Sequence, residues 1–295
     1  MDRNAAILYP GEMGCAVGKV LLAAGWRVCT HLEGPSLVCR GDAEAAEIED
    51  LGSLGEVLEA ADLVVSLVPP AAALEVAQTV ARAAVRGGNA QRPLYLDANS
   101  VAPETVRAVA AALDGAGVEV VDGSFVGSAR DLGSRTRLYL SGPRAAELAA
   151  ALPAAFQARV VDVAIGAASG FKLAFAGFNK GLVALFLEVM LAGEAAGEPE
   201  ALRHCLSAFY PGTIETLERL LPSYPRHAAR RADEMDELAA WLAREGRDPA
   251  WALVARDVFS RFAALGLDAE RAWTLDEILA ELTRADLSGD ASAPR

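Results

Sequence analysis

One lysine in this chain is placed where a titratable amine could take part in proton transfer. Lysine occurs only at Lys19, Lys172 and Lys180, and the other 24 of the 27 basic residues are arginine, which does not titrate near neutral pH. Lys172 follows Gly166–Phe171 at the start of a long apolar stretch without proline. Burial can bring a lysine pKa toward working pH, so that the amine exchanges a proton with a reacting hydroxyl group. The alternative is a lysine that lays its stem over an apolar helix and keeps its ammonium group in water.

An asparagine further along the same stretch is spaced to share a surface with this lysine. Asn179 lies seven residues after Lys172, nearly two turns on and within about 20° of the same azimuth in a helix of 3.6 residues per turn. Both side chains would face one cleft, so Asn179 is predicted to bind the substrate.

A turn near the N-terminus has the glycine pattern of a dinucleotide-binding site. The segment Tyr9–Gly14 follows a first apolar strand and precedes a helical run and a second strand. Glycine at the third position of this segment lets the backbone approach a pyrophosphate, glycine at the last lets helix and strand pack closely, and the helix N-terminus attracts anions. Tyr9 departs from the fingerprint, which has glycine there, and a turn that only reverses the chain is the alternative. The predicted cofactor-binding residues of this turn are Gly11, Glu12, Met13 and Gly14.

The end of the second strand indicates which dinucleotide is bound. Glu33 follows this strand, where a carboxylate can accept hydrogen bonds from the ribose hydroxyls of an unphosphorylated cofactor. A 2′-phosphate would need a basic neighbour, and the nearest one after Glu33 is Arg40. The sequence therefore favours NAD over NADP, although a carboxylate at a strand end is often only a solvated loop residue.

Two domains of different architecture must position these residues. The first half alternates short strands with alanine-rich helical runs, which is typical of a mainly parallel sheet with helices on both faces. The predicted strands are Ala5–Tyr9, Arg27–Thr30, Leu63–Val68, Leu94–Asp97, Glu119–Val121, Arg137–Leu140 and Val160–Val163. The later pattern is helical, with predicted helices at Ser169–Ala196, Glu200–Phe209, Ile214–Leu221, Arg226–Arg244, Ala250–Leu265 and Asp276–Arg284. We predict a Rossmann-type doubly wound α/β domain at 1–165, an all-α domain at 166–288 and a tail at 289–295.

Charge and composition argue against several classes of protein. The net charge of −13, without a basic stripe, argues against a nucleic-acid partner. The four cysteines form no Cys-x-x-Cys pair and the three histidines do not cluster, so reduced thiols and no metal site are expected. No apolar segment fits a membrane span and no signal peptide precedes the first strand. We therefore expect a cytoplasmic protein that acts on a small molecule.

Three motifs resemble one enzyme family over nearly the full chain. Gly11–Gly14, Asp122–Ser128 and Gly166–Lys172 occur in the order and spacing of the β-hydroxyacid dehydrogenase family, which also contains 6-phosphogluconate dehydrogenase and the imine reductases. Within the family the chain is most similar to a poorly characterised branch of NAD(P)-dependent oxidoreductases. The resemblance implies a Rossmann domain joined by a long helix to a helical domain, and a homodimer formed through the helical parts. It also implies that NAD or NADP is the cofactor and that Lys172 is the general acid/base.

Two positions in these motifs differ from the family pattern. Ala176 replaces an asparagine one turn after the lysine, and Val126 replaces a serine that usually binds a substrate carboxylate. The remaining ligands at that loop are the backbone N–H groups of Gly127 and Ser128, with the Ser124 hydroxyl as a substitute. These departures favour a substrate that is bulkier, less acidic or held differently from the usual hydroxy acid.

Two strand ends correspond to the nicotinamide half of the family's cofactor groove. Val68 and Pro69 follow one strand, and Asn99 and Ser100 follow the next, as expected for ligand sites at strand C-termini. Asn99 and Ser100 would bind the ribose or the carboxamide. They would equally serve as a turn and helix start before Pro103.

One helix face in the second half carries charged residues. His227, Arg230, Arg231 and Glu234 fall at i, i+3, i+4 and i+7, so an arginine there could hold a substrate carboxylate or phosphate. An ordinary surface pair between Arg230 and Glu234 is favoured instead. Three aromatic residues of the long helix are predicted to pack in the core or at a subunit contact: Phe171, Phe175 and Phe178.

Together the motifs predict an NAD(P)-dependent oxidoreductase that transfers a hydride between nicotinamide and a small carbonyl or alcohol, with Lys172 passing the proton. An imine reductase-like enzyme is one alternative, which Lys172 disfavours because relatives with that activity generally lack the lysine. Oxidative decarboxylation is disfavoured because Phe175 and Ala176 replace the histidine and asparagine used there. A catalytically silent dinucleotide-binding or sensing protein is the other alternative, which the missing serine and asparagine favour.

Overall fold

Two units of different architecture make up the chain. A computed structural model of the protein describes residues 3–32, 37–87 and 92–288. The chain separates into Met1–Lys172 and Leu173–Arg295, called here the first and the second unit. The division falls inside the long helix, after Lys172, rather than before that helix at residue 166. The predicted tail at 289–295 lies outside the described residues.

One sheet of eight strands organises the first unit. Its strands are β1 (Asn4–Leu8), β2 (Arg27–Thr30), β3 (Glu49–Asp50), β4 (Leu63–Ser66), β5 (Leu94–Asp97), β6 (Val120–Val126), β7 (Arg137–Ser141) and β8 (Arg159–Asp162). Their order across the sheet is β3-β2-β1-β4-β5-β6-β7-β8. Neighbouring strands are parallel except for β6 and β7, which are antiparallel. The predicted doubly wound α/β fold is confirmed.

Helices cover both faces of this sheet. They are α1 (Glu12–Ala23), α2 (Leu37–Ala45), α3 (Leu54–Ala60), α4 (Ala73–Gly87), α5 (Pro103–Asp114) and α6 (Ala145–Ala151). Because successive strand residues point to opposite faces, Leu63 and Val65 pack in the core that contains Leu21 of α1. Val64 packs in the other core, with Val109 of α5. This burial on both faces explains why the strands read as continuous apolar runs.

The second unit is entirely helical in its described residues. The long helix α7 (Ala167–Ala196) begins in the first unit and is followed by α8 (Pro199–Phe209), α9 (Pro211–Leu220), α10 (Ala228–Arg244), α11 (Ala250–Ala264) and α12 (Leu275–Ser288). Proline occupies the first position of α8 and of α9, where its missing N–H costs no hydrogen bond. The apolar core of this unit includes Leu187, Met235, Phe259 and Ile278.

Helix α7 is long and strongly apolar, with a mean hydropathy of 1.5 over its most apolar window. Among the described residues it is the one helix whose length and hydropathy would allow it to cross a bilayer. A third of its most apolar window is buried inside the protein. A single such helix is weak evidence for a membrane span, because core helices of soluble proteins have the same composition.

Candidate functional site

The glycine turn between β1 and α1 leaves open space at the start of the helix. Gly11 is the N-cap of α1, with φ −91° and ψ −161°, and no side chain caps the helix. A Cβ atom built on Gly11 would meet no atom within 4 Å. The N–H groups of the first turn, which have no partner within the helix, therefore face room for an anion. Glu12 is exposed and Met13 half-buried at the first two helical positions.

Two glycines of α1 bring this helix close to the sheet. A Cβ atom on Gly14 would lie 3.1 Å from Ile7 Cγ2, and one on Gly18 would lie 2.8 Å from Ile48 Cδ1. Contacts this short are rare for real Cβ atoms. The close packing of helix on strand expected at Gly14 is therefore present, and it fixes the first turn of α1 beside β1.

Tyr9 holds a conformation for which the dinucleotide fingerprint uses glycine. Its φ is +49°, in the left-handed region that side-chain-bearing residues rarely adopt. The half-buried Tyr9 packs against an apolar cluster that includes Val68, Val101 and Val106. Packing of the ring offsets a backbone cost of about 1–2 kcal/mol, so the departure at Tyr9 preserves the turn.

The glycine turn lies at the point where the strand order of the sheet reverses. Strands β1 and β4 are neighbours, with β2 and β3 on one side and β5 onward on the other. In open α/β sheets, ligands bind in the crevice outside the carboxyl ends of the strands at such a point. Val68 and Pro69 follow β4, the first buried and the second exposed. The sheet thus places two of the predicted cofactor segments at one edge.

Asn99 ties the loop after β4 to the loop after β5. Its Oδ1 accepts a hydrogen bond from the N–H of Val68 at 2.7 Å, and its Nδ2 donates to Ser66 Oγ at 3.1 Å. Asn99 is buried, whereas Ser100 is exposed. Helix α5 begins four residues later with Ala102 as its N-cap, so neither residue caps that helix. Asn99 shapes the crevice through Val68, and a direct contact of Asn99 or Ser100 with cofactor stays a prediction.

The residue predicted to select NAD lies outside the described residues. The structure describes the chain up to Leu32 and again from residue 37, and Glu33 falls between them. The N–H of Leu32 donates to Asp50 Oδ1 at 3.3 Å, and the N–H of Gly52 donates to the same oxygen at 2.9 Å. Sequence reasoning missed Asp50, whose carboxylate fixes the chain entering this segment.

Burial of Ser124 disfavours it as a substrate ligand. Ser124 lies within β6, has no exposed surface, and its hydroxyl has no hydrogen-bond partner among the described residues. In the antiparallel pair with β7 it stands opposite Tyr139. A small substrate in solvent would not reach this hydroxyl without movement of the strand.

The loop after β6 exposes backbone rather than side-chain donors. Gly127 has φ +132°, and a Cβ atom there would lie 2.1 Å from Thr136 Oγ1. The Ser128 hydroxyl donates to Asp131 Oδ2 at 2.7 Å and accepts from the N–H of Asp131 at 3.3 Å. Because these bonds engage the Ser128 hydroxyl, the backbone N–H groups of Gly127 and Ser128, both exposed residues, are the donors that remain for a ligand.

Lys172 and Asn179 lie on one helix but in different units. Lys172 is the sixth residue of α7 and is half-buried. Asn179 is half-buried two turns later and lines a cavity of about 440 Å³ in the second unit, with Phe178, Tyr210 and Thr213 among its neighbours. Their spacing along the helix is as predicted. The expectation that both face one cleft stays a prediction.

A buried carboxylate binds the start of α7. Asp122 has no exposed surface. Its Oδ2 accepts hydrogen bonds from the N–H of Gly166 and of Ser169, each at 3.0 Å, and from Ser141 Oγ at 2.9 Å. Its Oδ1 accepts from Ser169 Oγ at 2.7 Å. Asp122 and Ser169 lie in two of the motifs but were predicted no role of their own, and Ser141 lies in none of the motifs. A charged residue inside an apolar strand was the signal available.

A second buried carboxylate lies on the neighbouring strand. Asp97 of β5 stands opposite Asp122 in the parallel pair, and its Oδ1 accepts from the N–H of Asn99 at 3.0 Å. Its Oδ2 has no partner among the described residues. Burial raises the pKa of Asp97 from an ordinary 3.8 to about 6, against the opposing hydrogen bonds from Asn99 and with a smaller increase from the charge of Asp122.

The charged face of α10 is used within the second unit. Arg230 Nε lies 3.8 Å from Glu234 Oε1, the surface pair that the spacing favoured. Glu234 also binds the buried Lys180, with Nζ 2.9 Å from Oε2. Arg231 stacks over the ring of Tyr224 at 3.5 Å. Burial lowers the pKa of Arg231, and burial together with the neighbouring arginines lowers the pKa of His227.

No cluster of three or more His, Cys, Asp or Glu side chains that could hold a metal ion occurs in residues 3–32, 37–87 and 92–288.

Solved structures share this architecture over almost the full chain. A conserved hypothetical protein from Sinorhizobium meliloti 1021 is 24% identical with a TM-score of 0.76, covering 96% of this chain and 97% of that one. MTH1747, a conserved protein of unknown function described as structurally similar to 3-hydroxyacid dehydrogenases, is 27% identical with a TM-score of 0.72, covering 90% and 100%. The 3-hydroxyisobutyrate dehydrogenase of Mycobacterium tuberculosis is 18% identical with a TM-score of 0.73, covering 96% and 99%. The chain is similar to the 3-hydroxyacid dehydrogenases.

Other comparisons agree with this resemblance. Residues 194–265 match a domain of unknown function, DUF1932. Imine reductases are also among the structures that share the fold. Among curated proteins, none matches the sequence. The resemblance predicted from the three motifs is therefore confirmed.

Proposed function

We propose that this chain is an NAD(P)-dependent oxidoreductase that transfers a hydride between nicotinamide and a CH–OH or C=O group of a small substrate, with Lys172 as general acid/base. The observation that carries the proposal is an open glycine turn at the reversal point of a doubly wound sheet, in a chain whose long helix presents Lys172 in its second turn. Similarity to dehydrogenases and reductases supports the reaction class.

The first unit offers the groups that a dinucleotide requires. The space at Gly11 and the N-terminus of α1 suit a pyrophosphate. The loops containing Val68–Pro69 and Asn99–Ser100 would flank the nicotinamide half. A carboxylate at Glu33 would accept from the ribose hydroxyls, so we favour NAD over NADP.

The proton moves through Lys172. Bound nicotinamide supplies or accepts the hydride. In reduction, the Lys172 ammonium donates a proton to the carbonyl oxygen and becomes a neutral amine. In oxidation, the neutral amine takes the hydroxyl proton while the C–H bond breaks. Lys172 is half-buried rather than fully buried, and we propose that its amine exchanges protons with water between turnovers.

The substrate is held without the usual serine and asparagine. Val126 and Ala176 stand at those places. We propose that the backbone N–H groups of the exposed residues Gly127 and Ser128 bind the anionic or polar end of the substrate. The missing serine and asparagine favour a substrate that is bulkier, less acidic or held differently from a short hydroxy acid.

Thermal stabilisation by NADH and by NADPH tests the cofactor assignment. A ligand that binds the native state raises stability by RT ln(1 + [L]/Kd), about 2.7 kcal/mol at a hundredfold excess over Kd. We expect NADH to raise the Tm more than NADPH. Gly11→Asp places a carboxylate in the pyrophosphate space and should remove the shift, whereas Gly115→Asp should keep it, because that glycine also has open space around it. No shift with either dinucleotide would refute the proposal.

Replacing the lysine tests the acid/base role. Lys172→Met should lower turnover by about 10²–10⁴-fold, the usual contribution of general acid–base catalysis, while dinucleotide stabilisation stays. Lys19→Met, at an exposed lysine of α1, is the control and should keep full turnover. Unchanged turnover in Lys172→Met would remove Lys172 from the mechanism.

Substrate panels separate the proposal from its alternatives. Short aldehydes, keto acids and cyclic imines should be assayed side by side with the same enzyme and cofactor. Preferred turnover of carbonyls supports the proposal, and preferred turnover of imines supports an imine reductase-like enzyme. Tight NADH binding without turnover of any compound, together with a stable protein partner, supports a sensing protein.

We also propose a cytoplasmic homodimer formed through the helical unit. The support is a set of exposed apolar side chains, which a monomer would leave in water. The most exposed of them in the second unit are Phe178, Leu185, Phe209, Tyr210 and Val254.

A further inference from the structure

Hydrogen bonds from two side chains of the sheet hold the start of α7. Besides the hydrogen bonds to Asp122, the N–H of Ala168 donates to Ser141 Oγ at 3.0 Å, while the same hydroxyl donates to Asp122. The amides of Gly166, Ala168 and Ser169 would otherwise lack partners at a helix N-terminus. Two side chains from β6 and β7 thus satisfy three amides at the beginning of one helix.

The charge of Asp122 suits this task. An ionised carboxylate is an acceptor only and can take four donors, and Asp122 takes two amides and two hydroxyls. A negative charge at a helix N-terminus also interacts favourably with the helix dipole. Burial of the group would be costly without these partners. A shift of α7 by one residue would break them, so the register of the helix on the sheet is fixed.

An aromatic contact adds a further point of attachment. The rings of Tyr139 in β7 and Phe171 in α7 lie 4.3 Å apart between centroids. Lys172 directly follows Phe171 and lies three residues after Ser169. The main chain of Lys172 is therefore held by contacts on the preceding turn of its own helix, all of them within the first unit.

We propose that Asp122, Ser141 and Ser169 form a positioning cluster that sets where the Lys172 amine stands above the carboxyl edge of the sheet. The inference rests on the proposed function, since it assigns the cluster to the proton-transfer step. The three residues act through the backbone of α7 and do not touch the substrate. Errors of about 1 Å in the placement of a reacting group can cost about a hundredfold in rate, which is the effect the cluster prevents.

A pair of variants that differ only in a hydroxyl tests the cluster. Ser169→Thr keeps the hydroxyl that donates to Asp122, whereas Ser169→Val has the same shape as threonine but no hydroxyl. Strain from the larger side chain at this buried site is therefore the same in both variants. We expect Ser169→Val to have a kcat at least about tenfold below that of Ser169→Thr, with equal dinucleotide affinity. Lys172→Met should remove one limb of the pH–rate profile, either the acidic or the alkaline one, which assigns that limb to Lys172. The apparent pKa of this limb should shift in Ser169→Val and stay unchanged in Ser169→Thr.

Asp122→Asn should have a larger effect, because an amide NH₂ would face the donors of α7. Asp162→Asn is its matched control: Asp162 lies just before α7 and accepts from the N–H of Ala164 at 2.9 Å, without a bond to the helix. Amide hydrogen exchange at residues 166–172 should become faster in Asp122→Asn and Ser169→Val, and stay unchanged in Asp162→Asn. This measurement needs no substrate.

The outcomes separate the two proposals. Faster exchange with lower kcat in Ser169→Val than in Ser169→Thr supports the positioning cluster. Equal kcat in the Thr and Val variants, while Lys172→Met has its expected loss of turnover, overturns the cluster and leaves the proposed function intact. Unchanged exchange in both Asp122→Asn and Ser169→Val also overturns it. Full activity of Lys172→Met overturns the proposed function itself, whatever the exchange rates.

Discussion

Buried polar side chains are distributed unequally between the two units. Among the described residues, all buried polar or charged side chains except Lys180 belong to the first unit: Thr30, His31, Ser66, Asp97, Asn99, Asp122, Ser124, Thr136, Ser141 and Ser169. Several follow or end strands at the carboxyl edge of the sheet. Because buried polar groups need partners in definite positions, the first unit is built to fix geometry at that edge.

Exposed large apolar side chains occur in both units, and among the described residues seven of the twelve belong to the second unit. The second unit exposes large ones on three of its helices, including Phe178 and Leu185 of α7, Phe209 of α8 and Val254 of α11. Its core is almost purely apolar, so its helices are held by packing that depends little on direction. In our proposal, the first unit carries the chemistry of the site and the second unit offers a surface for association.

The largest expected effect tests how strictly the first unit fixes its loops. Gly127→Ala combines a left-handed backbone with a Cβ atom 2.1 Å from Thr136 Oγ1, so we expect a loss of about 3 kcal/mol in the free energy of unfolding. Gly133→Ala in the same loop has φ +90° but open space, and should lose only about 1 kcal/mol. Urea denaturation measures both. Equal losses would mean that the loop yields and that its geometry is not fixed.

The next prediction tests the association surface of the second unit. Leu185→Asp should weaken the homodimer about a hundredfold, because a carboxylate in an apolar interface costs several kcal/mol. Val85→Asp in the first unit is the control, since Val85 and Leu185 are each 61% exposed. Analytical ultracentrifugation over a concentration series gives both dissociation constants. A monomeric parent protein, or an equal effect of Val85→Asp, would contradict the assignment of the surface.

A third prediction concerns the cost of the polar groups in the first unit. Because the pKa of Asp97 is about 6 in the folded protein and near 3.8 ordinarily, the native state binds this proton more tightly than the unfolded state does. The resulting stabilisation is complete below about pH 4 and is lost as the pH rises through about 6. Asp97→Asn keeps an acceptor for the N–H of Asn99. Relative to the parent, it should gain about 3 kcal/mol between pH 4 and pH 8.

Urea denaturation across this pH range measures the Asp97→Asn gain, with the exposed Asp114→Asn as the control. If the free energy of unfolding changed with pH in the same way for the parent and for Asp97→Asn, ionisation of Asp97 would not destabilise the folded protein. That result would contradict the prediction.

The smallest effect compares ion pairs of the two units. Lys180 and Glu234 in the second unit have side chains 11% and 37% exposed, whereas Arg27 and Glu49 in the first unit are 53% and 50% exposed. Solvent screens exposed pairs, so a double-mutant cycle with Lys180→Met and Glu234→Gln should give a coupling of about 1 kcal/mol. The Arg27–Glu49 cycle should give about 0.3 kcal/mol. Equal couplings would show that Lys180 gains nothing from burial.

Element positions were predictable where the pattern is local. Strands β2 and β5 run over the predicted residues, and α7 begins two residues before its predicted start and ends where predicted. Strand β3 was missed because its two residues, Glu49 and Asp50, are acidic and exposed. Strand β6 extends to Val126, five residues beyond its predicted end, because pairing with β7 continues a strand that Asp122, Gly123 and Ser124 interrupt in sequence.

The candidate site was predictable only in part. The sequence placed the glycine turn at the end of β1 and Lys172 early in α7, and both positions are as predicted. It proposed Ser124 as a ligand because a hydroxyl stood near the missing serine, and burial in β6 disfavours that role. It did not foresee that Asn99 would bond the loop at Val68, because no pattern links residues that far apart in sequence.

What the sequence determined by itself about this protein is therefore the set of features made by neighbouring residues: the alternation of strands and helices, the turn at Gly11 and the place of Lys172 on its helix. Backbone conformation and helical periodicity depend on adjacent residues, so a single chain displays them. Only the tertiary structure decided the partners of Asp122, which lie 19, 44 and 47 residues away. Hydrogen bonds between distant residues exist only once the strands are in register, and that register is a property of the whole sheet.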